Sequence, residues 1–128
     1  MANPRIMNRG TILIYSQQRL LATLLAATIR DDNRHIICCS SLQQLIAKSN
    51  SLRPTLIYII DSAPFMNGAN LMEMLRRSSL HRPTIYVITW QQSEHTVLSL
   101  LECGVDQYFT FPISMLRLRL KTLAHDSQ

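Results

Sequence analysis

The segment Thr55-Leu56-Ile57-Tyr58-Ile59-Ile60 is the most continuous apolar run in this sequence. Pro54 precedes it, and a loop with Pro64, Asn67 and Gly68 follows it. A short strand without polar alternation is buried on both faces, which is typical of a central strand in a parallel sheet. The run therefore predicts a parallel sheet with helices packed on both of its faces.

Segments of two kinds alternate on either side of this run. Short apolar segments predict four more strands, and segments with helical spacing or caps predict five helices between and after them. The strands are predicted at 11–16, 35–39, 84–89 and 108–111, and the helices at 19–30, from Ser40 or Ser41, at 71–80, at 93–104 and from Ser114. This strict alternation predicts one α/β domain with a doubly wound, five-stranded parallel sheet and five helices. We predict an N-terminal extension over 1–10, the domain over 11–124 and a tail over 125–128.

The first and last helices carry leucine stripes. The first stripe consists of Leu20, Leu21, Leu24, Leu25 and Ile29. In the last segment, Leu116, Leu120 and Leu123 share one helical face, so we expect them to be buried. Leu118 falls off that face and is predicted to be exposed. Leu116 to Leu120 also alternates with period two, as a half-buried strand would, but helix propensity favours a helix.

Composition narrows the possible functions. The 128 residues carry a net charge of +5, and their apolar content of 47% is sufficient for one core. No apolar run is long enough for a membrane span, so we predict a cytoplasmic protein that does not enter the membrane. The cysteines and histidines lack zinc-ligand spacing, and no phosphate-binding glycine loop or catalytic triad is present. These observations predict neither a metal, a cofactor nor an enzymatic activity.

Two segments carry a resemblance to a known family. Pro64-Phe65-Met66-Asn67-Gly68 is similar to the Pro-x-Met-Asp-Gly loop of the receiver domains of bacterial two-component response regulators. Glu102 to Pro112 resembles the Glu-Ala-Gly-Ala-Asp-Asp-Tyr-Leu-Thr-Lys-Pro segment of the same family. Thr89 stands fifteen positions before Gly104, as the family's switch threonine does before that glycine. The resemblance covers roughly residues 11–124 as one domain-sized unit, and it implies the CheY-like strand order 2-1-3-4-5.

The resemblance also implies a phosphorylation site, and this sequence has lost its chemical groups. The family binds Mg²⁺ with an acidic pair after the first strand, and that pair falls on Ser16 and Gln17. The phosphoacceptor aspartate falls on Ile60, and the lysine that neutralises the phosphoryl group falls on Phe111. Together these changes predict a degenerate, phosphorylation-independent receiver, or pseudo-receiver. Asp61, one position beyond Ile60, is the alternative acceptor, although a shift of one residue reverses the side-chain direction in a strand.

Other family positions are retained. Thr89 and Tyr108 match the switch threonine and switch aromatic, so they either keep a two-state coupling or serve as ordinary fold residues. A group of apolar side chains is expected near the lost site, either packed against itself or lining an apolar ligand site. This group consists of Ile60, Phe65, Trp90, Tyr108 and Phe111.

The last two elements predict an interface. Receivers commonly pair through the face formed by the fourth helix, the fifth strand and the fifth helix. Here acids on or near the fourth helix are opposed by bases on the last helix, which makes a self-complementary patch in a two-fold dimer. The candidate residues are Leu98, Glu102, Asp106, Arg117, Leu118, Arg119 and Lys121. An ordinary charged surface with one exposed leucine is the alternative.

The leading hypothesis is a protein–protein interaction and dimerisation module of a signalling or transcription regulator. Its expected partners are a second copy and another signalling protein or an attached output domain, with DNA contacted only through an output domain outside this chain. A small-molecule-sensing, flavodoxin-like domain is a second hypothesis, because fold does not fix function. Direct nucleic-acid binding through the net charge ranks last, because the sequence has no basic stripe.

Overall fold

Five parallel strands form the sheet in the computed structural model, which describes residues 10–61, 75, 82–90, 98, 101, 102 and 104–126, with Asp61 described through its backbone. The strands are β1 (Thr11–Ser16), β2 (His35–Cys39), β3 (Leu56–Asp61), β4 (Thr84–Thr89) and β5 (Gln107–Thr110). Their order is β2-β1-β3-β4-β5, and every neighbouring pair is parallel. The predicted strand order and the central position of β3 are confirmed.

Three helices are described in full: α1 (Arg19–Ile29), α2 (Leu42–Leu52) and α3 (Met115–Asp126). The Ser41 side chain caps α2 by accepting a hydrogen bond from the Gln44 N–H at 3.1 Å. The predicted third and fourth helices lie largely outside the described residues. The described residues within them, which are Leu75, Leu98, Leu101 and Glu102, are helical.

The core consists of two layers, one on each face of the sheet. Ile12, Ile14 and Tyr58 alternate with Leu13, Ile57 and Ile59 along β1 and β3, so each strand supplies both layers. The first layer packs against α1 and α3, and the second packs against α2 and Leu75. Burial of both strand faces explains why β1, β3 and β4 are apolar almost throughout.

The domain extends beyond both predicted boundaries. Gly10 belongs to it, because its carbonyl accepts the His35 N–H at 3.2 Å and its φ of +90° suits glycine. At the other end α3 continues through His125 and Asp126, which were predicted to begin a tail. His125 Nε2 lies 3.0 Å from Thr84 Oγ1, and Asp126 forms an ion pair with Arg34. The last helix therefore continues two residues beyond the predicted boundary at residue 124.

The predicted orientation of the last helix is wrong. Leu118 is fully buried, whereas Leu116 and Leu120 are exposed. The inward face of α3 contains Leu118 and Thr122, and the Thr122 hydroxyl lies 2.6 Å from the Tyr58 hydroxyl. A buried tyrosine hydroxyl requires a hydrogen-bond partner, so this contact favours the less apolar face of α3 as the inward one.

The stripe predicted for α1 is only half buried. Leu25 and Ile29 face the sheet together with Ala22, while Leu20 and Leu24 are exposed. None of the helices within the described residues is long and apolar enough to cross a membrane.

Candidate functional site

The carboxyl ends of the strands are where ligands bind in open parallel sheets. Here that edge brings together Ser16 at the end of β1, Ile60 and Asp61 at the end of β3, and Thr89 at the end of β4. Ser16 pairs with Ile60, and Asp61 pairs with Thr89. Phe111 follows β5, and its N–H donates to the Thr89 carbonyl at 3.0 Å. The structure therefore brings to one edge of the sheet the positions that the receiver resemblance assigns to the phosphorylation site and its switch threonine.

Ser16 and Gln17 occupy the positions of the lost acidic pair. The buried Ser16 hydroxyl donates to the Gln18 carbonyl at 3.0 Å and accepts from the Gln18 N–H at 2.9 Å. This local turn leads into α1, and it uses the hydroxyl to satisfy the backbone. Gln17 is exposed and its side chain is neutral. Neither residue offers the anionic oxygen that receivers use to hold Mg²⁺.

Ile60 and Phe111 belong to the apolar layer beneath α1 and α3, where both side chains are buried. The Phe111 ring stacks on Trp90, with ring centroids 4.0 Å apart and planes inclined by 23°. Trp90 itself is exposed, so it covers Phe111 on the solvent side. A lysine ammonium in place of Phe111 would be desolvated by these neighbours, which is unfavourable for a charged group.

Asp61 is the carboxylate-bearing residue among the described strand-end positions of this edge. Its backbone lies directly beside Thr89 in the parallel ladder, whereas Ile60 lies beside Ile88 and Ser16. The parallel ladder therefore sets the backbone of Asp61, and not that of Ile60, beside the switch threonine.

The two switch positions share one face of the sheet. Thr89 is buried, and Tyr108 pairs with Val87, two positions before Thr89 on the neighbouring strand. Tyr108 is partly exposed. Phe111 belongs to the layer on the opposite face, so Tyr108 does not join the stack formed by Phe111 and Trp90. The expected apolar group is therefore divided between two faces, and its member Phe65 lies outside the described residues.

The predicted interface residues fall into three sets. The first, near β5, consists of Leu98, Glu102, Asp106, Arg117 and Lys121, the second is Arg119 and the third is Leu118. Leu98, Glu102 and Arg117 are exposed, as is Asp106, although one carboxylate oxygen of Asp106 accepts the Ile85 N–H at 2.8 Å. Arg117 lies over the Phe109 ring, with Cζ 5.8 Å from the centroid, and therefore faces β5. Lys121 follows one helical turn later on the same side.

The other two sets depart from the predicted patch. Arg119 is exposed on the side of α3 that also carries Asp126, two turns further on, which pairs with Arg34 beside α1. Leu118 is buried in the core, so its assignment to the interface is wrong.

Sequence reasoning missed a buried polar cluster at the opposite edge of the sheet. The Arg34 guanidinium donates to the Ile29 carbonyl at 2.7 Å and pairs with Asp126. Burial raises the pKa of Tyr58 to about 12, despite its hydrogen bond to Thr122. Burial also lowers the pKa of His125, and the Arg34 charge lowers it further. A tyrosine within an otherwise apolar strand was the sequence signal that a polar partner had to pack there.

Solved structures share this architecture closely. A two-component response regulator from Clostridium difficile superposes with a TM-score of 0.80 at 20% identity, over 93% of this chain and 97% of that one. A CheY-like receiver domain protein from Methanospirillum hungatei gives 0.77 at 18% identity, over 92% and 94%. The chain therefore has the CheY-like receiver fold of response regulators.

One relative shows the likeness in sequence as well. The PhoP alkaline phosphatase synthesis transcriptional regulatory protein of Bacillus subtilis is 27% identical over 103 residues. The matched segment is 80% of this chain and 42% of that protein, so the chain spans less than half of this relative's length. No protein-family model matches the chain.

Proposed function

We propose that this chain is a receiver-like domain that acts without phosphorylation, as a protein–protein interaction and dimerisation module of a signalling or transcription regulator in the cytoplasm. The observation that carries this proposal is the burial of Phe111 beneath Trp90 at the position of the family's lysine. Ile60 at the aligned acceptor position and Ser16 in a closed turn support it. Phosphoryl transfer depends on positioned charge, and these groups supply none.

The partners proposed for this module follow from its relative. PhoP is named as a transcriptional regulator, and the matched part of PhoP is less than half of that protein. We assign DNA contact to an output domain outside this chain, attached or separate, and give the present domain the role of bringing such domains together. Changes in partner binding or abundance would then replace phosphorylation as the signal.

Dimerisation is proposed through side chains near β5, of which Leu98, Glu102 and Arg117 are exposed and Lys121 is half-buried. Leu98 and Glu102 of the predicted fourth helix lie before β5, and Arg117 and Lys121 of α3 follow it. A two-fold axis would place Glu102 of one protomer near the bases of its partner. Sedimentation of Glu102→Lys and Arg117→Glu tests this arrangement, because each change should weaken the dimer about three- to tenfold and the double exchange should restore it. Lys48→Glu on α2 is the matched charge control, and equal weakening by this control would contradict the proposed face.

A receiver that is phosphorylated on Asp61 is the second candidate, favoured by the pairing of Asp61 with Thr89. The test is intact-mass spectrometry after incubation with Mg²⁺ and acetyl phosphate. The proposal predicts an unchanged mass for the wild type and for Asp61→Asn. A gain of one phosphoryl group that is lost in Asp61→Asn would replace the proposal with this second candidate.

A further inference from the structure

Two helices expose leucines that the core does not use. On α1, Leu20 is 85% exposed and Leu24 is 49% exposed, and on α3, Leu116 is 63% exposed and Leu120 is 57% exposed. Each pair is four residues apart, which is about one helical turn. Single exposed leucines are common on proteins and need no explanation, whereas contiguous apolar patches mark binding surfaces.

The four leucines lie on one outer surface, which we call the leucine surface. Helices α1 and α3 pack against each other and cover the same face of the sheet. Both helices start at the carboxyl edge of the sheet and run away from it. Leu20 and Leu116 are each the second residue of their helix, and Leu24 and Leu120 are each the sixth. Leu20 and Leu116 therefore lie near the carboxyl edge of the sheet, and Leu24 and Leu120 lie one turn further from it, all exposed on helices that pack against each other.

The surroundings of the leucine surface are basic. Arg19 begins α1 next to Leu20, and the exposed Arg119 lies on the side of α3 that carries Asp126, whose partner Arg34 contacts the end of α1. At the far end of α1, beyond the leucines, Arg30 is offset by Asp31 and Asp32. Asp126 is the one acidic residue within α1 and α3, and it is paired with the buried Arg34. A partner on this surface therefore meets apolar side chains bordered by positive charge.

This charge distribution favours one kind of binding partner over another. A second copy docked through the same surface would set arginines against arginines, which disfavours a symmetric pair. A seam between two helices with leucines one turn apart fits a third helix that presents apolar side chains at the same spacing. We infer that the leucine surface binds an amphipathic helix of a partner protein whose apolar stripe is flanked by acidic residues. This site is separate from the dimer face proposed near β5.

The test is a titration of the whole chain, followed by amide NMR, with a designed helical peptide. The peptide carries leucines along one face and glutamates on both flanks, and a peptide of the same composition in permuted order is its control. Binding of the amphipathic peptide alone, with shifts along α1 and α3, is the expected result. Leu24→Gln and Leu120→Gln should each weaken binding about tenfold or more, because each removes a buried apolar contact. Leu42→Gln, an exposed leucine of α2 on the other face of the sheet, should leave affinity within about twofold.

A second pair of variants tests whether binding requires the positive charge beside the leucine surface. Arg119→Glu should weaken binding about three- to tenfold, with a smaller salt dependence than the wild type, whereas Lys48→Glu should not. Equal binding of the permuted peptide, or no binding by a chain with a folded spectrum, would overturn the inference. Binding to phosphatidylcholine–phosphatidylglycerol vesicles that is lost in Leu120→Gln, without peptide binding, would identify a lipid surface instead. Self-association lost in Leu120→Gln would identify a second copy.

Discussion

Phe111 is the residue at which the chemistry of this domain departs most clearly from that of its fold relatives. Its ring is buried among apolar side chains and stacked on Trp90, so the position is filled by packing. The loss of the lysine and the burial of Ile60 are consistent with each other, because an unpaired charge in such surroundings is costly. A charge restored at this position should therefore destabilise the protein.

Phe111→Lys is predicted to lower the free energy of unfolding by about 2–4 kcal/mol, because a lysine loses the stack and desolvates its ammonium. Phe111→Met, which keeps an apolar side chain of similar volume, should cost about 1 kcal/mol. Urea unfolding at neutral pH measures both values. A lysine variant as stable as the methionine variant would mean that the position accepts a cation readily.

Tyr58 is the second informative residue, because its hydroxyl joins the sheet to α3 through Thr122. Its pKa rises to about 12 in the folded protein, against about 10 in the unfolded chain. The folded state therefore holds the phenol proton more tightly. The resulting stability is complete below pH ~10 and is lost as the pH rises towards ~12.

Tyr58→Phe removes this titration and the hydrogen bond with it. At neutral pH the variant should lose about 1 kcal/mol, the usual net contribution of such a bond. Between pH ~10 and ~12 the difference from the wild type should shrink, because the wild type alone must ionise a buried phenol. Unfolding curves across that range check both statements, and a difference that stays constant with pH would contradict the assigned proton linkage.

Among the helices, α3 shows how helical periodicity in the sequence can predict the wrong inward face. Leucines at 116, 120 and 123 make the more apolar stripe, yet the helix turns Leu118 and Thr122 inward. Helical periodicity counts apolar side chains on a face, and it cannot register a polar contact between distant segments such as Tyr58 and Thr122. The more apolar face is left outside, where it forms half of the leucine surface.

The corrected orientation predicts opposite outcomes for two leucines two residues apart. Leu118→Ala should lower the free energy of unfolding by about 2–5 kcal/mol, because it opens a cavity beneath the helix. Leu116→Ala should change it by less than about 0.5 kcal/mol. Denaturant unfolding of the two variants compares them directly. The reverse ranking would restore the orientation that the sequence pattern predicts.

At the scale of the whole molecule, the sequence predicts the sheet well. The β1, β2 and β4 bounds match the predicted ranges, and β3 and β5 differ by one residue at each end. Continuous apolar strands separated by helical segments leave few alternatives to a doubly wound sheet. The last helix continues past residue 124 because His125 and Asp126 contact Thr84 and Arg34, and no local pattern in the sequence reveals such tertiary contacts.

The sequence predicts which residues lie at the candidate site, but it predicts less well how the end of β3 is aligned with the neighbouring strands. Loop anchors in the sequence place the acceptor position at Ile60, while the parallel ladder sets Asp61 beside Thr89. A difference of one residue at a strand end depends on the geometry of the following loop, which sequence spacing does not determine. The claim that the domain works without phosphorylation therefore depends on how this edge responds to Mg²⁺ and a phosphoryl group.

The most direct measurement is an amide NMR titration of the whole chain with Mg²⁺ and then with beryllofluoride, a phosphoryl mimic. We expect no saturable shifts at Ser16, Ile60 or Thr89 with either addition, in the wild type or in Asp61→Asn. Concerted shifts at these residues and at Tyr108 that disappear in Asp61→Asn would contradict it, and would establish Asp61 as the acceptor of a working phosphorylation switch.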